Sequence, residues 1–440
     1  MLKVFISNKF SEEKSYIIEI FFRWLLKIEY RVEIHESENY LIKLPNNNVI
    51  EIVDSFFIGK EENDYLGEEV IPKQISYVNN EFVVDKDLPV LFGNDLVEKN
   101  EENNRKSIKV YSDVFSSAFF IISRMEEYVI KDRDAHGRFP SDYSISKKFD
   151  FLNRPVVNEY AEMLWNILVY LGIEENSREF GRYELVPTHD IDTVYYKFRL
   201  SNLLGDIILD KNLELAFRRV ILKKQNYWDT FSWMMDMSEK YNLKSTFYFM
   251  SDASHKWDND YKLDDKLISE KISEIKKRGH AIGFHPGYET MKNPEKFTRQ
   301  KKLLENAVGE PIREVRHHYL RFKVPDTFAT WEKNDIVYDS SISYSDHIGF
   351  RCGTSVTYPL FNLKERSTLD IKEKPLIIMD ILLRDRQNTE RSAEESVKVV
   401  NSYKEICKRY RIPLSILFHN NSFDPLRWKG WKKVYENYFV

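Results

Sequence analysis

Cysteine is nearly absent from this chain. Its 440 residues hold only Cys352 and Cys407. Two thiols build neither a disulfide framework nor a cysteine-based zinc site. The opening MLKVFISNKFSEEKSY has no apolar stretch and no cleavage signal, so it does not read as a secretory leader. The best membrane candidate, YIIEIFFRWLLKI (16–28), is too short to span a bilayer and carries Glu19, Arg23 and Lys27. It reads as a buried amphipathic helix. No Lys/Arg stripe stands out, and 66 basic residues nearly balance 70 acidic ones. That argues against a nucleic-acid partner. Repeats and long low-complexity tracts are also missing. The expected protein is cytoplasmic, with no membrane span and an unspecified oligomeric state.

What is present is core material. Hydrophobic residues make up 42% and charged residues 31%, an ordinary globular balance, and the length fits two or three domains. The front part predicts a strand at LKVFIS, a helix over about 11–28, and strands at 40–44 and 48–53. The polar run EKNEENNRKS (98–107) reads as a solvated loop. A helix is expected near 112–130, a loop without clear period over 131–155, and a helix from Pro155 to about Leu171. The stretch GIEENSREFGRY (172–183) is the expected link, dividing a 1–175 α/β domain of unknown role from a second unit, 180–440.

After the link the rhythm changes. Apolar and β-branched runs at 183–189, 244–250, 280–285, 314–320, 335–340, 375–381 and 414–420 alternate with helical stretches such as 264–279 and 392–410. Strand–helix alternation implies a parallel sheet, open or closed into a barrel. The polar residues gather near the C-terminal ends of these runs, where β/α barrels assemble their sites. Asp190 or Asp192 alone would be read as a helix cap. Together they are less ordinary, because two carboxylates one residue apart point the same way along a strand and need a cation or a shared proton. His280 reads as structural. His317 and His318 would point to opposite faces of a strand, so at most one would face the interior.

Together these segments resemble the polysaccharide deacetylases of carbohydrate esterase family four, over about 185–425. The carrying motifs are Thr188-His189-Asp190-Ile191-Asp192, Gly279-His280-Ala281-Ile282-Gly283-Phe284-His285, Arg316-His317-His318, Leu417-Phe418-His419, and Asp380 on the preceding strand. The resemblance implies a distorted seven-stranded (β/α) barrel beside a separate N-terminal α/β domain, in a divergent bacterial branch. It implies a divalent metal, zinc first and manganese or iron as alternatives, held by Asp192 and His285. The family's second histidine is replaced by Glu289. His318, standing where the family has proline, is the preferred third ligand. Glu289 is the alternative, and loss of the metal is the third reading. By the same resemblance Asp190 is the general base, Arg316 orients it, His419 is the general acid and Asp380 supports His419. His189 stands in place of the family's usual phenylalanine and has no assigned role.

The implied reaction removes an acetyl group from an N-acetylated sugar or glycan precursor, with a carbohydrate substrate as partner. Hydrolysis of another C–N bond on a small molecule, or a non-catalytic carbohydrate-binding barrel, are the rival readings. The stretch 341–361 is expected to shape substrate choice, with Arg351 able to pair with an acidic sugar or phosphate. A structural lid is its other reading.

Overall fold

The computed structural model describes residues 1–196, 207, 213–222, 226–386, 389–425 and 427–440. Alternating burial in LKVFIS makes β1 (Leu2–Ser7). The expected first helix is α1 (Ser11–Glu19), which passes into a π-helical turn at Ile20–Leu25. β2 (Tyr30–His35), β3 (Tyr40–Lys43) and β4 (Val49–Ile52) follow.

The polar run 98–107 is not a loop. It is the closed end of a hairpin made by β5 (Gly93–Glu102) and β6 (Arg105–Ser112). Asn103 and Asn104 take φ of 50° and 61°, the left-handed pair that a two-residue hairpin turn requires and asparagine tolerates. β5 is an exposed edge strand, and edge strands carry charge to prevent further pairing. Composition therefore hid the strand. The first sheet runs β2-β1-β3-β4-β6-β5. The helix expected near 112–130 is two: α2 (Val114–Ile122) and α3 (Met125–Val129), divided at Arg124, whose φ is 57°. α4 (Val156–Tyr170) forms as expected.

All seven expected runs after the link contain strands. They are β7 (Glu184–Ile191), β8 (Thr246–Phe249), β9 (Ala281–Phe284), β10 (Glu314–Val315), β11 (Tyr338–Asp339), and, after an added hairpin of β12 (Tyr358–Asn362) and β13 (Ser367–Glu373), β14 (Ile378–Met379) and β15 (Pro413–Leu417). The sheet order is β12-β13-β11-β10-β9-β8-β7-β15-β14. Every neighbouring pair is parallel except β12 with β13. The chain is thus a mixed α/β protein with a long parallel sheet. Among the described residues the ladder runs open from β12 to β14, and the added hairpin stands beside β11. Helices α5 (Phe231–Lys240), α6 (Lys266–Lys277), α7 (Pro294–Val308), α8 (Asp326–Glu332) and α9 (Ala393–Tyr410) come between the strands.

The fourth expected strand is shorter than its pattern. β10 stops at Val315, and Tyr319 and Leu320 adopt φ of 61° and 52°. The chain turns there, so the alternating-face rule does not govern His317 and His318. Both are buried.

Arg351 does not face a substrate. Its Nε and Nη2 donate to the Glu127 carboxylate at 2.8 and 2.6 Å, between the rings of Tyr344 and Phe322. Arg124 donates to the same Glu127 at 2.8 Å. This buried cluster ties α3 to the 341–361 stretch. Tyr16 adds a bond from its hydroxyl to the Pro359 carbonyl, 2.9 Å, and Arg366 grips Glu13. One apolar core runs through both parts.

Asp339 on β11 and Glu373 on β13 are register partners and fully buried. Burial pushes Asp339 up to about 6. It also drives Glu373 well above the carboxylate range, with the Asp339 charge raising it further. Acids whose folded pKa is raised stabilise the fold below their unfolded pKa, and that stability is lost as pH rises through the folded values. Glu373→Gln, which cannot ionise, is therefore expected to gain thermal stability over wild type as pH climbs from 5 to about 9, by on the order of 1 kcal/mol or more. Melting curves across that range check it, and a gap that stays constant with pH refutes the raised pKa of Glu373.

Candidate active site

The seven expected site residues converge at one end of the parallel sheet. Asp190 lies in the last turn of pleat of β7, and Asp192 just beyond it. His285 follows β9, Arg316 and His318 follow β10, Asp380 follows β14, and His419 lies two residues past β15. Parallel neighbours bring their C-terminal ends side by side, which is why residues far apart in sequence meet here.

Three ligand-type atoms draw together at the centre. One atom each from Asp192, His285 and His318 lies within 4.8 Å of the others. His285 Nε2 is 3.3 Å from Asp192 Oδ1 and 3.1 Å from His318 Nδ1, and His318 Nδ1 is 3.5 Å from the same Asp192 oxygen. The far side of each ring is committed to a backbone carbonyl. His285 Nδ1 faces the Arg316 carbonyl, and His318 Nε2 faces the Trp257 carbonyl at 2.7 Å. A carbonyl only accepts, so each of these nitrogens carries the ring's proton. In neutral rings the two facing nitrogens are then both lone pairs. Buried Asp192 Oδ1 has no hydrogen-bond donor of its own. Three acceptors pointing at one another call for positive charge between them. A proton on His285 supplies some: burial pulls its pKa down, but Asp190 and Asp192 outweigh that and raise it. Burial in turn leaves His318 below the usual histidine value. A divalent ion satisfies all three acceptors at once, and histidines oriented by carbonyls are the usual supporting arrangement. The donor set fits a metal, and its two imidazoles and one carboxylate suit zinc, manganese or iron.

Glu289 is elsewhere. Its side chain is 55% exposed and pairs with Lys296 at 2.8 Å, so the alternative that placed Glu289 beside Asp192 and His285 is corrected: His318 is the residue that stands with them.

Two polar pairs flank the centre. Arg316 is fully buried. Its Nη1 donates to Asp190 Oδ1 at 3.0 Å and to Thr188 Oγ1 at 2.8 Å, while Nε and Nη2 hold Ser340. Asp190 Oδ2 is left 3.8 Å from His285 Nε2. On the other flank, His419 Nδ1 donates to Asp380 at 2.9 Å, and Asp380 also accepts from the His419 and Ile381 backbone N–H groups and from Ser422. His419 Nε2 is 3.6 Å from Asp192 Oδ2. Burial alone would lower the His419 pKa, but Asp380 outweighs it and lifts the value to about 10. His189 takes no part. Burial lowers its pKa to about 3, and the neutral ring bonds the Phe418 carbonyl and the Tyr435 hydroxyl. The buried ring of His317 stacks on Phe297.

These groups open into a cavity of about 280 Å³, lined also by Arg138, Tyr319, Ser345, Met379 and Ile381. Sequence reading missed Arg138. It lies in the 131–155 stretch, which has no helical or strand period to place it. The signal was local: Asp134 accepts the His136 and Arg138 backbone N–H groups at 2.8 and 2.9 Å and also grips the Arg138 side chain. Arg321 ties the same turn to the sheet through the His136 carbonyl, 2.7 Å. The front part of the chain thus builds one wall of the cavity. Beside it sits an aromatic cluster of Tyr319, Tyr288, Trp257 and His136. The 341–361 stretch does reach the cavity, through Ser345 rather than Arg351.

Ligand loss should separate the residues cleanly. His285→Ala and His318→Ala are expected to weaken zinc affinity by at least about a hundredfold, whereas Glu289→Ala leaves it unchanged. Competition against a chromogenic chelator measures this. Equal affinity in the His318 variant would remove it from the centre.

A sequence profile for a family of unknown function (DUF7033) matches residues 2–172. No curated protein matches the chain. Among solved structures, similarity is found to a Mycobacterium smegmatis protein assigned to the polysaccharide deacetylases, at 13% identity and TM-score 0.39, covering 59% of this chain and 83% of that one. The Puue allantoinase is similar at 12% identity and TM-score 0.37, over 59% and 83%. The catalytic domain of a peptidoglycan N-acetylglucosamine deacetylase from Eubacterium rectale is similar at 11% identity and TM-score 0.28, over 58% and 83%.

Proposed function

We propose that this protein is a metal-dependent hydrolase that removes an acetyl group from an N-acetylated sugar. The observation that carries the reading is the Asp192–His285–His318 centre, with the Arg316–Asp190 pair on one side of it and the His419–Asp380 pair on the other. Residues 180–440 are read as the distorted β/α barrel of the deacetylases, and 1–175 as a second domain that closes the site's rim.

When bound, the ion supplies a water acidified toward pKa about 7 and a polarised acyl oxygen. The chain's own residues do the rest. Asp190 stands beside His285, where it can take the water's proton. Arg316 holds that carboxylate aimed, with three of its four bonds spent on fixing its own position. His419, across the centre, holds a proton for the leaving amine, and Asp380 stabilises the imidazolium. Tyr319 and the neighbouring rings offer apolar faces to a sugar, and Arg138 offers N–H groups to its oxygens.

A small cavity also favours a second reading. At about 280 Å³ it lies at the lower end of ligand sites, so hydrolysis of another C–N bond in a compact small molecule uses the same machinery. Acetate release from N-acetylated amino sugars by the zinc-, manganese- or iron-loaded protein distinguishes the two. Protein that takes up none of these ions defeats both and leaves a carbohydrate-binding barrel.

Asp190→Asn should lower kcat by at least about a thousandfold while metal content stays at the wild-type level. Full turnover in that variant rules out its role as base. Arg138→Ala is expected to raise KM by about tenfold with a smaller change in kcat, as for a group that binds substrate and transition state alike. Steady-state kinetics on the same sugar decides, and an unchanged KM removes Arg138 from substrate binding.

A further inference from the structure

A second cavity lies at the opposite end of the same strands. It measures about 520 Å³, well within the range of small-molecule sites. Glu184 begins β7 and Pro413 begins β15, and both line it, whereas Asp190 and His419 stand at the far ends. Strand rise places the two cavities roughly 20 Å apart. Trp24 from the π-helical turn, Asn158 from α4, and Arg178 and Arg182 from the link complete the walls.

Three residues on these walls each hold a buried polar atom without a hydrogen-bond partner: Trp24 Nε1, Asn158 Oδ1 and Arg178 Nε. Asn158 is 6% exposed and Arg178 8%. Buried polar groups are seldom left unmatched, and several at one place mark a site for something that matches them. Arg178 cannot turn away. Its two terminal nitrogens donate to Glu162 at 2.8 and 2.6 Å, and its guanidinium packs against the rings of Trp165 and Phe180. The charge balance points the same way. Arg23, Lys27, Arg178, Arg182 and Arg411 line the cavity against only Glu179 and Glu184. Arg23, Lys27 and Arg178 are already in ion pairs. Arg182 and Arg411 enter none among the described residues, and both are exposed at the rim.

We propose that this cavity binds a small polyol bearing a phosphate or carboxylate group. The anion pairs with Arg182 and Arg411. Ring or hydroxyl oxygens accept from Trp24 Nε1–H and Arg178 Nε–H, and a hydroxyl donates to Asn158 Oδ1. A simple oxyanion without hydroxyls leaves Asn158 without a donor. A neutral polyol leaves the two arginines without counter-charge. The site requires neither the metal nor the proposed hydrolysis.

Isothermal titration of the full chain with glucose 6-phosphate, gluconate and glucose, at about 0.15 M salt, tests it. At least one of the two anions is expected to bind saturably at one site, at least tenfold tighter than glucose, and the pair separates phosphate from carboxylate recognition. Replacing both rim arginines (Arg182→Ala with Arg411→Ala) should weaken binding by about tenfold or more, and Trp24→Phe, which removes only the N–H side of the indole, by about fivefold. Asp192→Ala should leave binding intact. The proposal is overturned if neither anion binds, if the double arginine variant binds as wild type does, or if Asp192→Ala abolishes binding and so moves the event to the other cavity. Because the two arginines are exposed, their variants are expected to melt with wild type, which keeps a loss of binding interpretable.

Discussion

Two backbone carbonyls set up the chemistry of this protein. Those of Arg316 and Trp257 each take the proton-bearing nitrogen of an imidazole, and so dictate which nitrogen of His285 and His318 looks inward. With Asp192 beside them, the result is a cluster of acceptors that is unfavourable unless positive charge lies among them. Every other part of the site is arranged around that demand. Arg316 neutralises Asp190 so that a second acid can stand close by, and Asp380 holds His419 as a cation on the far flank.

The same residue serves twice in this layout. Arg316 gives its backbone carbonyl to His285 and its guanidinium to Asp190. A shift in the short strand β10 would therefore disturb His285 and Asp190 together. Full burial and the contact with the Tyr248 ring at 4.4 Å keep the side chain in place. The left-handed backbone at Tyr319 and Leu320 then turns the chain so that His318 comes back toward His285.

Much of this was legible in the residues. Parallel strands place their C-terminal ends together, so acids and histidines at the ends of seven apolar runs could be expected to meet. Glu289 and His318 could be weighed against each other as the third member of the cluster, and the geometry favours His318. What could not be read were features with no period. Arg138 is held by an Asx-type turn within a stretch that carries no helical or strand signal. Arg351 looked available for an acidic ligand because sequence does not reveal that Glu127, 224 positions earlier, takes its charge. The hairpin at 93–112 was hidden because an edge strand and a solvated loop share the same polar composition. Likewise the β12–β13 hairpin beside β11 lies between the fifth and sixth expected runs, where no strand was read.

The buried Arg124–Glu127–Arg351 knot has a consequence for how such a chain can be divided. Two of its members belong to the front of the sequence and one to the back, and all three are sealed from water. Removing the part before the 172–183 link would take Glu127 from Arg351 and leave that cation without its counter-charge, a state proteins tolerate poorly. The front part is consequently part of the interior that residues 180–440 need in order to fold.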